Sequence, residues 1–143
     1  EVYAYDAFAI ADETAKQHHA KISTLEEIIT ECDYISLHVP LLDSTRKMIS
    51  TAEFKKMKKD ACLLNAARGG IVDETALYEA LKNKEIRSAC FDVYSSEPPK
   101  QDDSLLALDN FLLTPHTAAR SMESEQRTCA MSTGIILEQL LGN

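Results

Sequence analysis

The chain has 143 residues, with 15 Lys and Arg against 23 Asp and Glu for a formal net charge of −8, and 45% of its residues are hydrophobic. That length, close to the roughly 150 residues of one domain, predicts a single domain with its own core and argues against disorder. An acidic surface with no basic stretch longer than KKMKK at 55–59 disfavours nucleic acid as a partner, and no apolar run reaches the roughly 18 residues that span a bilayer.

Taken in order, the first predicted strand covers residues 2–5 and ends at Asp6. Ser23-Thr24-Leu25-Glu26 fits a capping box opening a helix with Leu25, Ile28 and Ile29 on its apolar side. A strand at 34–39 runs into Pro40, and a second capping box, Ser50 to Glu53, opens a helix carrying Phe54 and Met57. The strand at 61–66 is followed by Arg68-Gly69-Gly70, after which Asp73 can cap a helix with Leu77, Ala80 and Leu81 facing inward. Strands at 88–93 and 111–114 lead into Glu97-Pro98-Pro99 and Pro115-His116. Ser121 then caps a long last helix with Cys129, Ile136 and Leu140 on one stripe.

Strands alternating with capped helices predict an α/β fold built on a parallel sheet. The nearly continuous apolar character of the strands is that of a sheet covered by helices on both faces. In such sheets ligands bind beyond the carboxyl ends of the strands, where the proline-bearing loops emerge. Cys32, Cys62, Cys90 and Cys129 form no CxxC pair and have no His at zinc spacing, so they read as reduced, buried small hydrophobes. His18 and His19 lie in a polar loop and read as solvated, so no metal site is expected. EVYAYDAF at the N-terminus has neither a basic leader nor a small-residue cleavage site, which leads to the expectation of a soluble, cytoplasmic chain without membrane contact.

Four groups can carry chemistry. Asp6, ending the first strand, can accept from both hydroxyls of an adenosine ribose and would repel a 2′-phosphate, or it is simply a turn or cap residue. Arg68, after small residues and before two glycines, presents a planar fork suited to a carboxylate, or is a surface arginine in a glycine turn. Glu97 precedes two prolines that stiffen its loop, and His116 follows one. Arg68, Glu97 and His116 follow three successive predicted strands, a combination that points to a Glu-oriented imidazole beside an anion-binding arginine.

With HVPLLDST at 38–45, NAARGGIVDE at 65–74, FDVYSSEPP at 91–99 and TPHTAA at 114–119, the chain resembles the D-isomer-specific 2-hydroxyacid dehydrogenases over nearly its whole length. The resemblance implies a Rossmann-like sheet, NAD as cofactor, and hydride transfer between nicotinamide and a D-2-hydroxy or 2-keto acid, 3-phosphoglycerate among the candidates, in a homodimeric cytoplasmic enzyme. It implies that Arg68 holds the substrate carboxylate and carbonyl oxygen, that His116 is the acid/base and that Glu97 pairs with it. For the cofactor it implies Asp6 on the adenine ribose, Val39, Pro40, Ala66 and Ala67 lining the site, Asp92 on the nicotinamide amide, and Thr117, Ala118 and Ala119 nearby. An NAD-binding corepressor resembling the same family is the alternative, since such proteins retain a similar Arg, Glu and His set.

Family members carry a GxGxxG loop just before the acidic strand, whereas Gly69, Gly70, Gly134 and Gly142 form no such loop. The resemblance therefore implies that residues 1–143 are a partial NAD-binding domain lacking the first strand, its glycine-loop helix and the substrate domain. Without the pyrophosphate cradle, the isolated chain is expected to bind NAD weakly, to be inactive and to self-associate.

Overall fold

A computed structural model describes residues 1–142. Two parallel sheets hold the chain together. Strand β1 (Val2–Ala4) pairs with β2 (Ala20–Ile22) on either side of helix α1 (Asp12–Gln17). Helix α2 (Leu25–Glu31) leads to a four-stranded sheet of β3 (Tyr34–Leu37), β4 (Cys62–Asn65), β5 (Ser88–Phe91) and β6 (Phe111–Leu113), in that spatial order. Helices α3 (Thr51–Phe54) and α4 (Glu74–Lys82) connect its strands, and α5 (Met122–Leu141) follows them.

Parallel pairing is as expected: Leu37 faces Asn65, and Asn65 faces Phe91, across the central ladders. The expected strands are each present but end one or two residues earlier, so their last predicted residues belong to the loops that carry the site. Strand β2 was not anticipated, because its three residues place Lys21 between two modest apolar side chains.

Burial alternates along the larger sheet, in place of the nearly continuous apolar character expected. Ile35, Leu37, Leu63, Ala89 and Phe91 are buried on one face, where Ile29 of α2, Phe54 of α3, Leu77 and Leu81 of α4, and Leu105 complete the core. Tyr34, Ser36 and Leu112, on the other face, are exposed. Among the described residues the helical cover of this sheet is thus one-sided. Fully burying a Leu, Ile or Phe side chain stabilises by about 1.5–3 kcal/mol, so this face supplies most of the drive to fold.

Local chemistry sets the helix starts. The first capping box falls one residue later than expected: Thr24 Oγ1 accepts the Glu27 amide at 3.1 Å and the Glu27 carboxylate accepts the Thr24 amide at 2.7 Å. At α3 the Glu53 carboxylate accepts the Ser50 amide at 3.0 Å. Asp73 caps α4 as expected, accepting from the amides of Thr75 and Ala76. Ser121 caps α5 by accepting the Ser124 amide, and Gly142, at φ +69°, closes it in the left-handed region. Yet α5 buries none of its residues. The stripe of Cys129, Ile136 and Leu140 lies exposed rather than inward, with Leu140 76% accessible.

All four cysteines are free, but they are half-buried at 32, 62 and 90 and exposed at 129, which corrects the expectation of full burial. Among the described residues no helix is long and apolar enough to cross a membrane. There too, β1 pairs only with β2 and β3 only with β4, and a cavity of about 700 Å³ opens between these two unpaired edges.

Candidate active site

Strand β4 ends in a buried asparagine. Asn65 is 1% exposed, and its side chain closes the next turn by accepting the Ala67 amide at 3.1 Å and donating to the Arg68 carbonyl at 3.0 Å. Arg68 itself is exposed, with Nη1 donating to the Ala67 carbonyl at 2.7 Å. Gly69 then passes so close to the next loop that a Cβ there would stand 2.1 Å from the Tyr94 carbonyl oxygen. Only glycine fits this approach.

Beyond β5, the Tyr94 amide donates to Glu97 Oε1 at 3.0 Å, and Glu74 in the first turn of α4 accepts both the Ser95 amide and the Ser95 hydroxyl, at 2.8 and 2.7 Å. The Glu97 loop is therefore tied down at its base. Beyond β6, the buried Asp92 carboxylate organises the chain around His116: it accepts from the Thr114 hydroxyl, from the Thr117 amide at 2.8 Å and from the Ala118 amide at 2.8 Å. Burial alone would raise the Asp92 pKa, but these hydrogen bonds outweigh it and hold the group below the ordinary aspartate value. His116 is held at φ +53°, a conformation that non-glycine residues adopt at a cost of about 1 kcal/mol and that persists where the surroundings enforce it.

These loops bring His116 Nδ1 to 2.8 Å from Glu97 Oε2. The His116 hydrogen bond and then the Tyr94 amide hold Glu97 below the usual carboxylate range. Both side chains are about half accessible, at 52% and 40%, so solvent screening leaves the pair little weight in stability. Its consequence is orientation: with Nδ1 engaged, Nε2 is the ring nitrogen that makes no hydrogen bond among the described residues. A cavity of about 330 Å³ lies against Asp92, Tyr94, Glu97, Leu113 and His116.

Arg68, Glu97 and His116 thus leave the carboxyl ends of three adjacent parallel strands, as expected from the sequence. The remaining candidates divide. Ala66, Asp92, Thr117, Ala118 and Ala119 share this edge, whereas Ala67 is only 8% exposed and packs in the core, leaving its backbone as its contribution. Asp6 and Val39 line the larger cavity, with Pro40 exposed on the adjoining loop.

Two carboxylates keep oxygen capacity that a dinucleotide's hydroxyl and amide groups could use. Asp6 is exposed with one oxygen accepting the Phe8 amide at 2.9 Å, leaving the other to meet a hydroxyl. Asp92 Oδ2 accepts one amide and keeps capacity for a second donor. Sequence reasoning missed Asn65 and Glu74 as functional supports. The Asn two residues before Ala67 was the available signal for an Asx-type turn, while the Glu74 contact spans 21 residues and left no local trace.

Comparison with known proteins identifies the family. Residues 1–118 match the family model of the D-isomer specific 2-hydroxyacid dehydrogenase, NAD binding domain. The chain is 41% identical over 142 residues to D-3-phosphoglycerate dehydrogenase of Archaeoglobus fulgidus, covering 99% of this chain and 26% of that protein. It is 46% identical over 121 residues to glycerate dehydrogenase of Methylorubrum extorquens, covering 83% of this chain and 36% of that protein. Among solved structures, the NAD complexed form of the D-isomer specific 2-hydroxyacid dehydrogenase from Lactobacillus delbrueckii ssp. bulgaricus superposes with a TM-score of 0.89 at 31% identity, over 100% of this chain and 47% of that one. The chain belongs to the D-isomer specific 2-hydroxyacid dehydrogenase family, its residues 1–118 matching the NAD-binding domain, and spans between about a quarter and just under half of the length of these relatives.

Proposed function

We propose that the complete protein interconverts a small D-2-hydroxy acid and its 2-keto acid, with Arg68, Glu97 and His116 carrying the chemistry. The observation that carries this reading is the 2.8 Å contact of His116 Nδ1 with Glu97, at the sheet edge where Arg68 also emerges. Bound NAD would supply the hydride acceptor, and NADH the donor. Asp6 would hold the adenine ribose from the end of β1, with Val39 and Pro40 alongside. Ala66, Ala67, Asp92 and residues Thr117, Ala118 and Ala119 would border the nicotinamide end.

Arg68 would neutralise the substrate carboxylate and fix its carbon skeleton, and its fork can reach the adjacent oxygen as well. His116 Nε2 would take the hydroxyl proton in oxidation and return it to the carbonyl oxygen in reduction. Glu97, ionised at neutral pH, would hold the ring through Nδ1 so that Nε2 faces the reacting oxygen. Every relative named above is a dehydrogenase, which favours the enzyme over the corepressor-like alternative. Within the family we take 3-phosphoglycerate, a 2-hydroxy acid with an added phosphate, as the leading substrate, turned over by a cytoplasmic homodimer.

The test is NADH consumption by the complete protein with a panel of 2-keto acids: the phosphorylated three-carbon keto acid, hydroxypyruvate, glyoxylate and pyruvate. A kcat/KM at least about tenfold higher for the phosphorylated acid supports the substrate proposal. Preference for an unphosphorylated acid overturns that choice alone. No NADH oxidation with any of them overturns the enzyme reading.

A further inference from the structure

We propose that Asn65 is a positioning residue for Arg68, an inference that rests on Arg68 being the substrate-carboxylate anchor. Asn65 is a buried polar side chain in an otherwise apolar layer, with both its oxygen and its nitrogen hydrogen-bonded, flanked on the buried face by Leu37 and Phe91 of the adjacent strands. A buried amide survives there only if its hydrogen bonds are met. They are met entirely by the Arg68 turn: Oδ1 takes the Ala67 amide and Nδ2 gives to the Arg68 carbonyl, so the backbone on both sides of the Arg68 Cα is fixed by one side chain.

The Asn65 main chain carries the coupling across the sheet. Its carbonyl accepts the Asp92 amide at 2.9 Å, and Asp92 in turn holds the amides of Thr117 and Ala118, the two residues that follow His116. Gly69, next along the turn, rests on the Tyr94 carbonyl, while the Tyr94 amide binds Glu97. The turn that presents Arg68 cannot slide without disturbing the loop that presents Glu97. Asn65 therefore sets where the guanidinium stands relative to the His116–Glu97 pair. A misplacement of about 1 Å at such a site can cost about a hundredfold in rate.

Asn65→Asp tests this with the least change of shape. It retains an acceptor for the Ala67 amide but sets a carboxylate oxygen against the Arg68 carbonyl. In the complete protein, KM for the 2-keto acid is expected to rise about tenfold or more and kcat to fall. The Asn65→Asp, Arg68→Ala double variant is expected to be no worse than Arg68→Ala alone, since a residue acting through Arg68 has nothing further to lose. A merely structural role would give additive losses.

Asn65→Ala provides a second variant should the aspartate not fold, because it removes both side-chain hydrogen bonds, to the Ala67 amide and to the Arg68 carbonyl, without burying a charge. In the cofactor-free protein, its Ala67 amide is expected to exchange with solvent about tenfold faster or more while the β4 amides stay protected. Unchanged exchange at Ala67, unchanged keto-acid KM, or additive losses in the double variant each overturn the inference. If the unsubstituted protein oxidises NADH with no 2-keto acid, the anchor reading falls and the inference falls with it. That outcome is seen before any variant is made.

Discussion

Glu97 binds His116 Nδ1 at 2.8 Å through one carboxylate oxygen and the Tyr94 amide at 3.0 Å through the other. The carboxylate is thus fixed to its own loop before it orients the imidazole, and a single substitution can release both.

Glu97→Gln is expected to lower kcat for keto-acid reduction by about tenfold to a hundredfold, leaving KM for the keto acid nearly unchanged, because the imidazolium loses its charged partner while Arg68 is untouched. Since Glu97 is held below the ordinary carboxylate range, it stays ionised as pH falls past the usual glutamate value. Steady-state kinetics across pH check this: the difference in kcat between the unsubstituted protein and the variant should persist as pH falls through the ordinary glutamate range and close only below it.

Asp92 gives the acid dependence of stability. Its folded pKa lies below the unfolded value, so its contribution is complete above about pH 4 and is lost as pH falls through the lowered folded value. Asp92→Asn removes a charge and turns an amide donor toward one of the backbone donors it served, an expected loss of about 1–3 kcal/mol. Urea unfolding at pH 7 and pH 3 checks both points: the gap between unsubstituted protein and variant should narrow in acid.

Two glycines should respond in opposite senses. Gly69→Ala drives a methyl into the Tyr94 carbonyl region and is expected to destabilise by about 3 kcal/mol and to displace Arg68. Gly134, in the interior of α5 with nothing within 4 Å of its would-be Cβ, should gain about 0.5–1 kcal/mol on substitution by Ala. Thermal melts of the two variants give the comparison directly.

Much of this arrangement was legible in the residues. Order and parallel pairing followed from apolar runs separated by caps, and Arg68, Glu97 and His116 could be placed at one edge because each sits just past a strand. What stayed hidden was of two kinds. Short exposed elements such as β2 and α1 carry too few apolar residues to show a period, and contacts between distant segments, such as Glu74 with Ser95, have no local signature. The stripe on α5 was visible, but periodicity tells only that a helix has an apolar side; it does not supply the surface that covers it.

A polypeptide of residues 1–143 alone exposes the free edges of β1 and β3 and the apolar residues Met131, Ile135 and Leu140 of α5. It is expected to self-associate, and to bind NAD only weakly because none of its glycines forms a phosphate cradle at a helix start. Light scattering coupled to size exclusion should give a mass well above 15.9 kDa. A monomer with micromolar NAD affinity by calorimetry would contradict both expectations.

The catalytic assignment is tested most directly by His116→Ala in the complete protein, measured as kcat for NADH-dependent keto-acid reduction alongside the NADH dissociation constant. A fall in kcat of about a hundredfold or more, with cofactor affinity unchanged, is the expected result. A variant that turns over as fast as the unsubstituted protein would contradict the assignment of proton transfer to the His116–Glu97 pair.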